Sequence, residues 1–154
     1  MKVRIEIDRT IDEDELIIRC GELNGNIRKI QQYVLDMSKQ SNISFYKDNV
    51  EYFLRLGSVL FFETSDKGVN AHTADNVFQT KQKLYELEEI LPSDFVRVSK
   101  STILNITHIF SIQKSITSAS TVEFNNTHKQ VYVSRSYYKL LKQRLDERRN
   151  YETR

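Results

Sequence analysis

The sequence predicts a mainly β protein with a few helices, in which a larger antiparallel domain follows a small β-β-α region. From about residue 43 onward, short apolar runs are separated by turn residues roughly every eight to twelve positions, a spacing typical of all-β modules. Apolar residues recur at helical spacing in only three segments, at residues 27–39, 81–91 and 137–149. Hydrophobic residues make up 39% and charged residues 29% of the 154 residues, which indicates a folded globular chain.

Residues 1–41 are predicted to form the β-β-α region. Lys2–Asp8 alternates apolar and charged side chains, and Glu15–Cys20 contains three consecutive apolar residues, so each segment is expected to form a strand. Asn24–Asn26 has the composition of a turn and helix cap, and a helix is expected after it. The apolar side of that helix either packs on the two strands or forms a dimer surface.

Residues 42–149 are predicted to form the second domain, with a frayed tail at 150–154. Its expected strands are bounded by turn residues and lie at 43–47, 50–56, 58–63, 69–73, 77–80, 95–100, 110–114, 121–124 and 129–133. Asp48-Asn49 predicts a hairpin turn between the first two of them. Pro92 ends the helix at 81–91, whose lysines come first and glutamates last, against the helix dipole.

The charge is distributed unevenly between the two halves of the chain. Residues 1–91 carry 12 basic and 16 acidic side chains, whereas residues 92–154 carry 11 basic and 5 acidic ones. A basic second half indicates a polyanionic partner, although a solvated last helix explains part of the excess positive charge.

The single cysteine, Cys20, has no partner for a disulfide and is expected to be a small buried residue. No apolar run is long enough for a membrane helix, so a cytoplasmic protein is expected.

The segment Phe95–Ile109 organises the second domain. It begins as a strand with Val96 and Val98 on one face, and it becomes apolar again from Ile103. Between these parts, Ser99-Lys100-Ser101-Thr102 is a short run of hydrogen-bond donors with one positive charge. A solvated turn is one interpretation, because loops are commonly polar. A contact to phosphate or base edges is the other, because a rigidly framed loop loses less entropy on binding.

The second domain contains three characteristic segments in order: Ser58–Glu63, Phe95–Ile109, and Val131–Tyr137 together with Lys139. Together they resemble the LytTR family of bacterial DNA-binding domains, and the resemblance covers about residues 42–146. In the middle segment it rests on an aromatic, an arginine, a polar group and an apolar-apolar-Asn run, namely Phe95, Arg97, Ser99, Lys100, Ser101, Ile103, Leu104 and Asn105.

The resemblance implies a mostly antiparallel fold that presents loops to successive major grooves on one side of a DNA duplex. The contact residues it implies are Lys67, Gly68, Val69 and Asn70 in a first loop within 66–70, Ser99, Lys100 and Ser101 in a second, and Ser134, Arg135 and Lys139 in a third. Arg135 can offer a bidentate fork to guanine, whereas the lysines suit phosphates. Val69 stands where the family often carries a polar side chain and could contact a thymine methyl group. Ser134 is also a good helix cap without any ligand.

The predicted function is sequence-specific recognition of double-stranded promoter DNA by a homodimeric transcription regulator, because one small module buries little DNA surface. The alternative is a protein-binding regulatory β module that does not contact DNA. The first 41 residues are too few for a phosphoacceptor receiver domain, and the short architecture resembles regulators paired with a small membrane protein. An enzyme is not expected, because four glycines and three histidines form no catalytic, cofactor or metal-binding pattern.

Overall fold

The computed structural model describes residues 4–10, 15–38 and 43–152, and within these ranges it contains three α-helices and ten strands. The helices are α1 Gly25–Ser38, α2 Leu84–Ile90 and α3 Arg135–Glu152. The strands are β1 Phe45–Lys47, β2 Val50–Tyr52, β3 Phe61–Ser65, β4 Gly68–His72, β5 Val77–Thr80, β6 Phe95–Arg97, β7 Thr102–Asn105, β8 Ile109–Gln113, β9 Ser120–Phe124 and β10 Gln130–Val133. Antiparallel pairing throughout confirms the predicted fold class.

A seven-stranded sheet has the order β2-β1-β5-β4-β3-β7-β6, and a three-stranded sheet has the order β10-β9-β8. The predicted hairpin at Asp48-Asn49 is confirmed, because both residues have positive φ angles, of 52° and 61°. Positive φ at both central residues defines the tight turn whose twist matches that of paired strands.

Each face of the large sheet covers a separate apolar core, because neighbouring side chains along a strand point to opposite faces. Phe62 on β3 and Ile103 on β7 contribute to the core beneath α2, together with Leu87 of that helix. Phe61 and Leu104 point the other way, into the core shared with the small sheet and α3. The large sheet is therefore the middle layer of the domain.

Asn105 is a buried polar residue that ties these layers together. Its Nδ2 donates to Val59 O at 3.0 Å, and its Oδ1 accepts from Thr107 N at 3.1 Å and Thr107 Oγ1 at 2.7 Å. Its side chain is fully buried, so these bonds replace the water that it loses. The Asn of the apolar-apolar-Asn run therefore serves the fold.

Two helix boundaries differ from the sequence prediction. α2 begins at Leu84, so Lys81 precedes the helix, and Glu86 lies in its first turn and not at its end as expected. Lys83 is the N-cap residue, where its charge still opposes the helix dipole. α3 begins at Arg135 and continues to Glu152, so residues 150–152 are helical and do not form the predicted tail. The last turns of α3 carry mostly polar side chains, so the spacing of apolar residues predicted an end of the helix that is too early.

The prediction of two N-terminal strands is wrong for the described residues. Residues 4–8 and 15–20 pair with none of the ten strands, and the side chains of Ile5 and Ile7 are 83% and 89% exposed. Alternation of apolar and charged side chains forms a strand only where a neighbouring strand accepts its backbone hydrogen bonds. Cys20 is exposed, contrary to the expectation of burial. Residues 2 and 3, and the predicted domain boundary at 40–42, lie outside the described ranges.

The predicted helix in residues 1–41 is confirmed as α1. Asn24 Oδ1 accepts from Asn26 N and Ile27 N, each at 3.1 Å, and so caps its first turn. The helix does not pack on N-terminal strands; Asp36 instead accepts from Ser93 Oγ at 3.2 Å, beside the start of β6.

Candidate nucleic-acid interface

The loop Ser99–Ser101 is the tip of a tight four-residue connection, which starts at Val98 and joins β6 to β7. Val98 N donates to Thr102 O at 3.0 Å and closes the loop. Inside it, Ser101 N donates to Ser99 Oγ at 3.2 Å, and the two serine hydroxyls lie 3.3 Å apart. Lys100 occupies the tip, with an exposed side chain. The loop is therefore an ordered corner with one cation at its apex.

Arg97 holds this loop from beneath. Its Nε donates to Ser99 O at 2.6 Å and its Nη2 donates to Lys100 O at 2.5 Å. Its Nη1 pairs with Glu88 Oε2 of α2 at 2.7 Å, and the Arg97 side chain is only 16% exposed. A planar guanidinium can serve three acceptors at once, which a lysine ammonium cannot match in this geometry. Arg97 belongs to the family motif, but no role was predicted for it from the sequence. Its position two residues before the loop could have indicated that it contacts the loop backbone.

The turn between β3 and β4 lies beside this loop. Thr64 N, at the end of β3, donates to Ser101 O at 2.9 Å. The chain then turns through Asp66 and Lys67, where Ser65 Oγ donates to Gly68 O at 3.2 Å. Gly68 has a φ of 119°, which a side chain would strain. The first predicted loop is thus held against the second.

The start of α3 lies on the other side of the same loop. Ser134 N donates to Val98 O at 2.9 Å, and the Ser134 hydroxyl donates to the same oxygen at 3.5 Å. Arg135 follows immediately as the first residue of α3. The three segments 66–68, 99–101 and 134–136 therefore form one continuous border of the fold, which we name the loop edge.

Among the described residues, the cationic groups of the loop edge have no side-chain partner. Lys67, Lys100 and Arg135 are exposed, and the ammonium and guanidinium groups of these three residues make no hydrogen bond or ion pair with another side chain in the described ranges. By contrast, Arg97 and Arg148 are paired with Glu88 and Asp94. Exposed unpaired cations on one border concentrate positive potential there.

Two residues of the predicted first loop do not lie at the edge. Val69 is only 5% exposed and belongs to the core beneath α2, so its side chain cannot reach a thymine methyl group. Asn70 is half-buried one position further into the sheet, opposite Glu63 on β3 and Gln79 on β5. Val69 is buried because side-chain alternation along β4 directs it inward, a constraint that the motif comparison did not include. Lys139 is exposed one helical turn after Arg135.

A fourth segment reaches this end of the molecule. Gln113 pairs with Thr121 and Ser120 pairs with Val133, so the β8–β9 connection lies beside the end of β10, where α3 begins. It contains Lys114, whose Nζ is 5.4 Å from the centroid of the Tyr138 ring. The predicted strands at 110–114 and 121–124 put this connection at 115–120, one residue later than observed, with Lys114 inside the strand, and no DNA contact was predicted for it.

Two half-buried basic residues, His72 and Lys129, lie at the opposite end of the large sheet and contact the protein itself. Lys129 Nζ donates to Thr73 O at 2.7 Å and Asn76 O at 2.8 Å, and burial lowers the pKa of its ammonium while Asp75 opposes that shift. His72 stacks on Phe61 with ring centroids 4.1 Å apart. Burial, aided by Lys129, lowers the pKa of His72 from 6.5 to about 4, so the imidazole is neutral at pH 7.

Within the described ranges, no group of three or more histidine, cysteine, aspartate or glutamate side chains is arranged to hold a metal ion. None of the helices in the described residues is long and apolar enough to cross a membrane.

Comparison with known proteins bears directly on the loop edge. The family model described as the LytTr DNA-binding domain matches residues 49–146, a range that includes all three segments of the loop edge. A solved structure of the LytTr DNA-binding domain of a methyl-accepting/DNA response regulator from Bacillus cereus is similar, with a TM-score of 0.61 and 25% identity, over 67% of this chain and 95% of that one.

Whole-length relatives are similar as well. A protein of Staphylococcus aureus strain NCTC 8325, named an uncharacterized HTH-type transcriptional regulator, is 31% identical over 145 residues, covering 94% of this chain and 98% of its own length. A protein of the same name from strain N315 is 30% identical with the same coverage. The family match spans more than half of the sequence, and the fold agrees with it: the chain belongs to the LytTr DNA-binding domain family.

Proposed function

We propose that this protein is a transcription regulator that binds double-stranded DNA in a sequence-specific manner, as a homodimer, through the loop edge. The observation that carries the proposal is the backbone connection of three cationic tips: Thr64 N bonds to Ser101 O, and Ser134 N bonds to Val98 O. Tips joined in this way keep a fixed spacing, which a rigid duplex requires of groups that enter its grooves. The names of the staphylococcal relatives add support for a regulator.

The side chains suggest a division of roles. Arg135 begins α3, where its guanidinium can approach the O6 and N7 atoms of guanine in a major groove. Lys67, Lys100 and Lys139 are compact exposed charges that would contact phosphates. Ser101, with an exposed hydroxyl, would donate to a phosphate oxygen beside Lys100. The loops at the two sides of Ser99–Ser101 would then enter neighbouring grooves on one side of the duplex.

The mode of reading would differ from that of a recognition helix within a helix-turn-helix. α2 is followed by strand β6, and five strands separate it from α3, so these two helices do not form that motif. Loops and the first turn of α3 would carry the contacts. The second candidate function, a protein-binding β module, would need no exposed cations along the loop edge.

A salt series separates the two candidates. The affinity for DNA upstream of the protein's own gene, and for a random duplex, would be measured by fluorescence anisotropy from about 50 to 200 mM salt. For a DNA reader, log K falls linearly with log salt, and Lys100→Ala flattens that slope by about one unit. Lys29→Ala is the matched control, because Lys29 is an exposed residue of α1, and α1 contacts Ser93, at the other end of β6 from Lys100, through Asp36.

The expected result is a flatter slope for Lys100→Ala and an unchanged slope for Lys29→Ala. Equal slopes for all three proteins would remove Lys100 from the phosphate contacts. An absence of salt-dependent binding in the wild type would favour the protein-binding module.

A further inference from the structure

We infer that the connection between β8 and β9, residues 114–119, is a fourth DNA-binding segment, in which the ammonium of Lys114 binds a backbone phosphate. The inference rests on the proposed function and extends its DNA-binding surface beyond the loop edge. This contact would add affinity and orientation but no sequence readout, because the phosphate group is the same at every base pair.

The order of the strand ends places this connection next to the loop edge. In the large sheet, the β3–β4 pair is followed by β7 and then by β6. The end of β6 is joined to the end of β10, because Ser134 N donates to Val98 O at 2.9 Å. In the small sheet, β9 and then β8 follow β10, with Ser120 opposite Val133. The tips therefore follow one another along a single border, with the β8–β9 connection after the start of α3.

Lys114 lies beside the first turn of α3. Its Nζ is 5.4 Å from the centroid of the Tyr138 ring, and Tyr138 lies about one turn after Arg135. A cation over an aromatic ring is attracted to the negative face of the ring, and its N–H groups can still donate to another acceptor. Lys114 is exposed, and its ammonium makes no hydrogen bond or ion pair with another side chain in the described ranges. The positive charge is therefore held in place and accessible to a phosphate.

The connection is ordered by the same kind of bonds as the loop Ser99–Ser101. Ser115 Oγ accepts from Ser118 N at 3.0 Å, and the two hydroxyl oxygens lie 2.7 Å apart. Ser99 Oγ accepts from Ser101 N in the same way. Ser115 N also donates to the hydroxyl of Ser120, a buried residue at the start of β9, at 3.1 Å. A segment that is ordered before binding loses little entropy when it meets a rigid duplex.

Carboxylates are almost absent from this part of the sequence. Residues 95–145 contain eight lysines and arginines and a single acidic residue, Glu123. The Glu123 carboxylate accepts from Ser111 Oγ at 2.8 Å and from Gln130 Nε2 at 3.0 Å. Gln130 begins β10, so Glu123 lies towards the end of the small sheet that is remote from the β8–β9 connection. No carboxylate of residues 95–145 therefore offsets the charge of Lys114.

A lysine that only packs on Tyr138 is the alternative, and the salt dependence of DNA binding separates the two. Lys114→Ala should flatten the slope of log K against log salt by about one unit, as Lys100→Ala does, because one phosphate contact is lost. The effect should be the same on the upstream and the random duplex. Lys29→Ala is again the control and should leave the slope unchanged. An unchanged slope for Lys114→Ala, beside a flattened one for Lys100→Ala, would overturn the inference and leave the proposed function standing.

Tyr138→Leu tests whether the ring positions the ammonium. Leucine keeps an apolar contact with the core but removes the aromatic face beneath Lys114. The affinity for DNA should fall by roughly twofold to fivefold, because the ammonium would have to be ordered on binding. The salt slope should stay the same, because the charge remains. Urea denaturation of each variant checks that it is folded. An affinity equal to that of the wild type would overturn the positioning role of Tyr138.

Cleavage of DNA by a tethered iron chelate tests the position of the connection directly. In a Cys20→Ser background, Thr117→Cys carries the chelate in the β8–β9 connection, and His128→Cys carries it at the opposite end of the small sheet. Asp66→Cys, in the loop edge, reports whether DNA lies along the border at all. Cleavage is expected from positions 66 and 117 and not from position 128.

The outcomes separate this inference from the proposed function. Cleavage from position 66 without cleavage from position 117 would overturn the fourth segment alone. Cleavage from position 128 as strong as that from position 117 would also overturn it, because the duplex would then not follow the border. An absence of cleavage from all three positions would overturn the proposed function, and the inference with it.

Discussion

The guanidinium of Arg97 is bonded to the backbone of the loop that follows it, with Nε donating to Ser99 O across 2.6 Å. The same side chain reaches Lys100 O and Glu88, so a half-buried cation joins the tip of the loop to α2. Arg97 is therefore placed to fix the loop geometry and not to contact a ligand.

Replacing Arg97 with methionine should weaken DNA binding by about tenfold, or about 1.4 kcal/mol, because the loop would have to be ordered on binding. The slope of log K against log salt should stay the same, because the lost side chain does not neutralise a phosphate. Anisotropy titrations at several salt concentrations measure both quantities. Arg97→Lys keeps the charge but not the fork, and it should lose nearly as much affinity. A slope reduced by about one unit would instead assign Arg97 to a phosphate contact.

Arg135 should determine specificity, since it is exposed at the first position of α3 and is unpaired within the described ranges. Arg135→Ala should cost about 1–3 kcal/mol on the preferred site and less on random DNA, because only the preferred site offers a guanine to the fork. Competition titrations with both duplexes measure the difference. Lys139→Ala, one turn along α3, is the comparison and should weaken both duplexes equally. An equal loss from Arg135→Ala on both duplexes would reassign it to the DNA backbone.

Most strand positions of the second domain followed from turn residues and alternation, which are local properties of the chain. The order of the strands in the two sheets, and β7 as a separate strand, were not predicted, because they depend on pairing between distant segments. The burial of Val69 and the half-buried position of Asn70 did not follow from the motif, because they depend on which face of β4 meets α2. Arg97 likewise gains its role from a turn of the loop back over its own side chain. At the N-terminus, residues 4–8 do alternate apolar and charged side chains, but a strand needs a neighbour to pair with, and the described part of the chain supplies none there.

Asn105 should contribute more to stability than its polarity suggests. Asn105→Ala removes the donor to Val59 O and the acceptor of two bonds from Thr107, all of them in a buried or half-buried site. A loss of about 2–4 kcal/mol in the free energy of unfolding is expected, because buried groups are left without partners. Urea denaturation followed by circular dichroism measures this loss. Thr107→Val removes only the hydroxyl bond and should cost about 1 kcal/mol. Similar losses for the two variants would mean that the Val59 contact contributes little.

His72 should make stability depend on pH between about 6.5 and 4. Its folded-state pKa is lowered to about 4, so the unfolded chain binds a proton at a higher pH than the native protein does. The contribution is therefore present above pH 6.5 and is lost as the pH falls towards 4, by up to about 3 kcal/mol. His72→Phe, which keeps the stacking on Phe61, should remove this loss, and unfolding free energies at pH 7 and pH 4.5 measure it. His128→Gln alters an exposed histidine and should preserve the wild-type difference. Glu63 Oε2 lies 3.4 Å from His72 Nε2, and a wild-type difference no larger than that of His72→Phe would mean that this carboxylate offsets the burial of the imidazole.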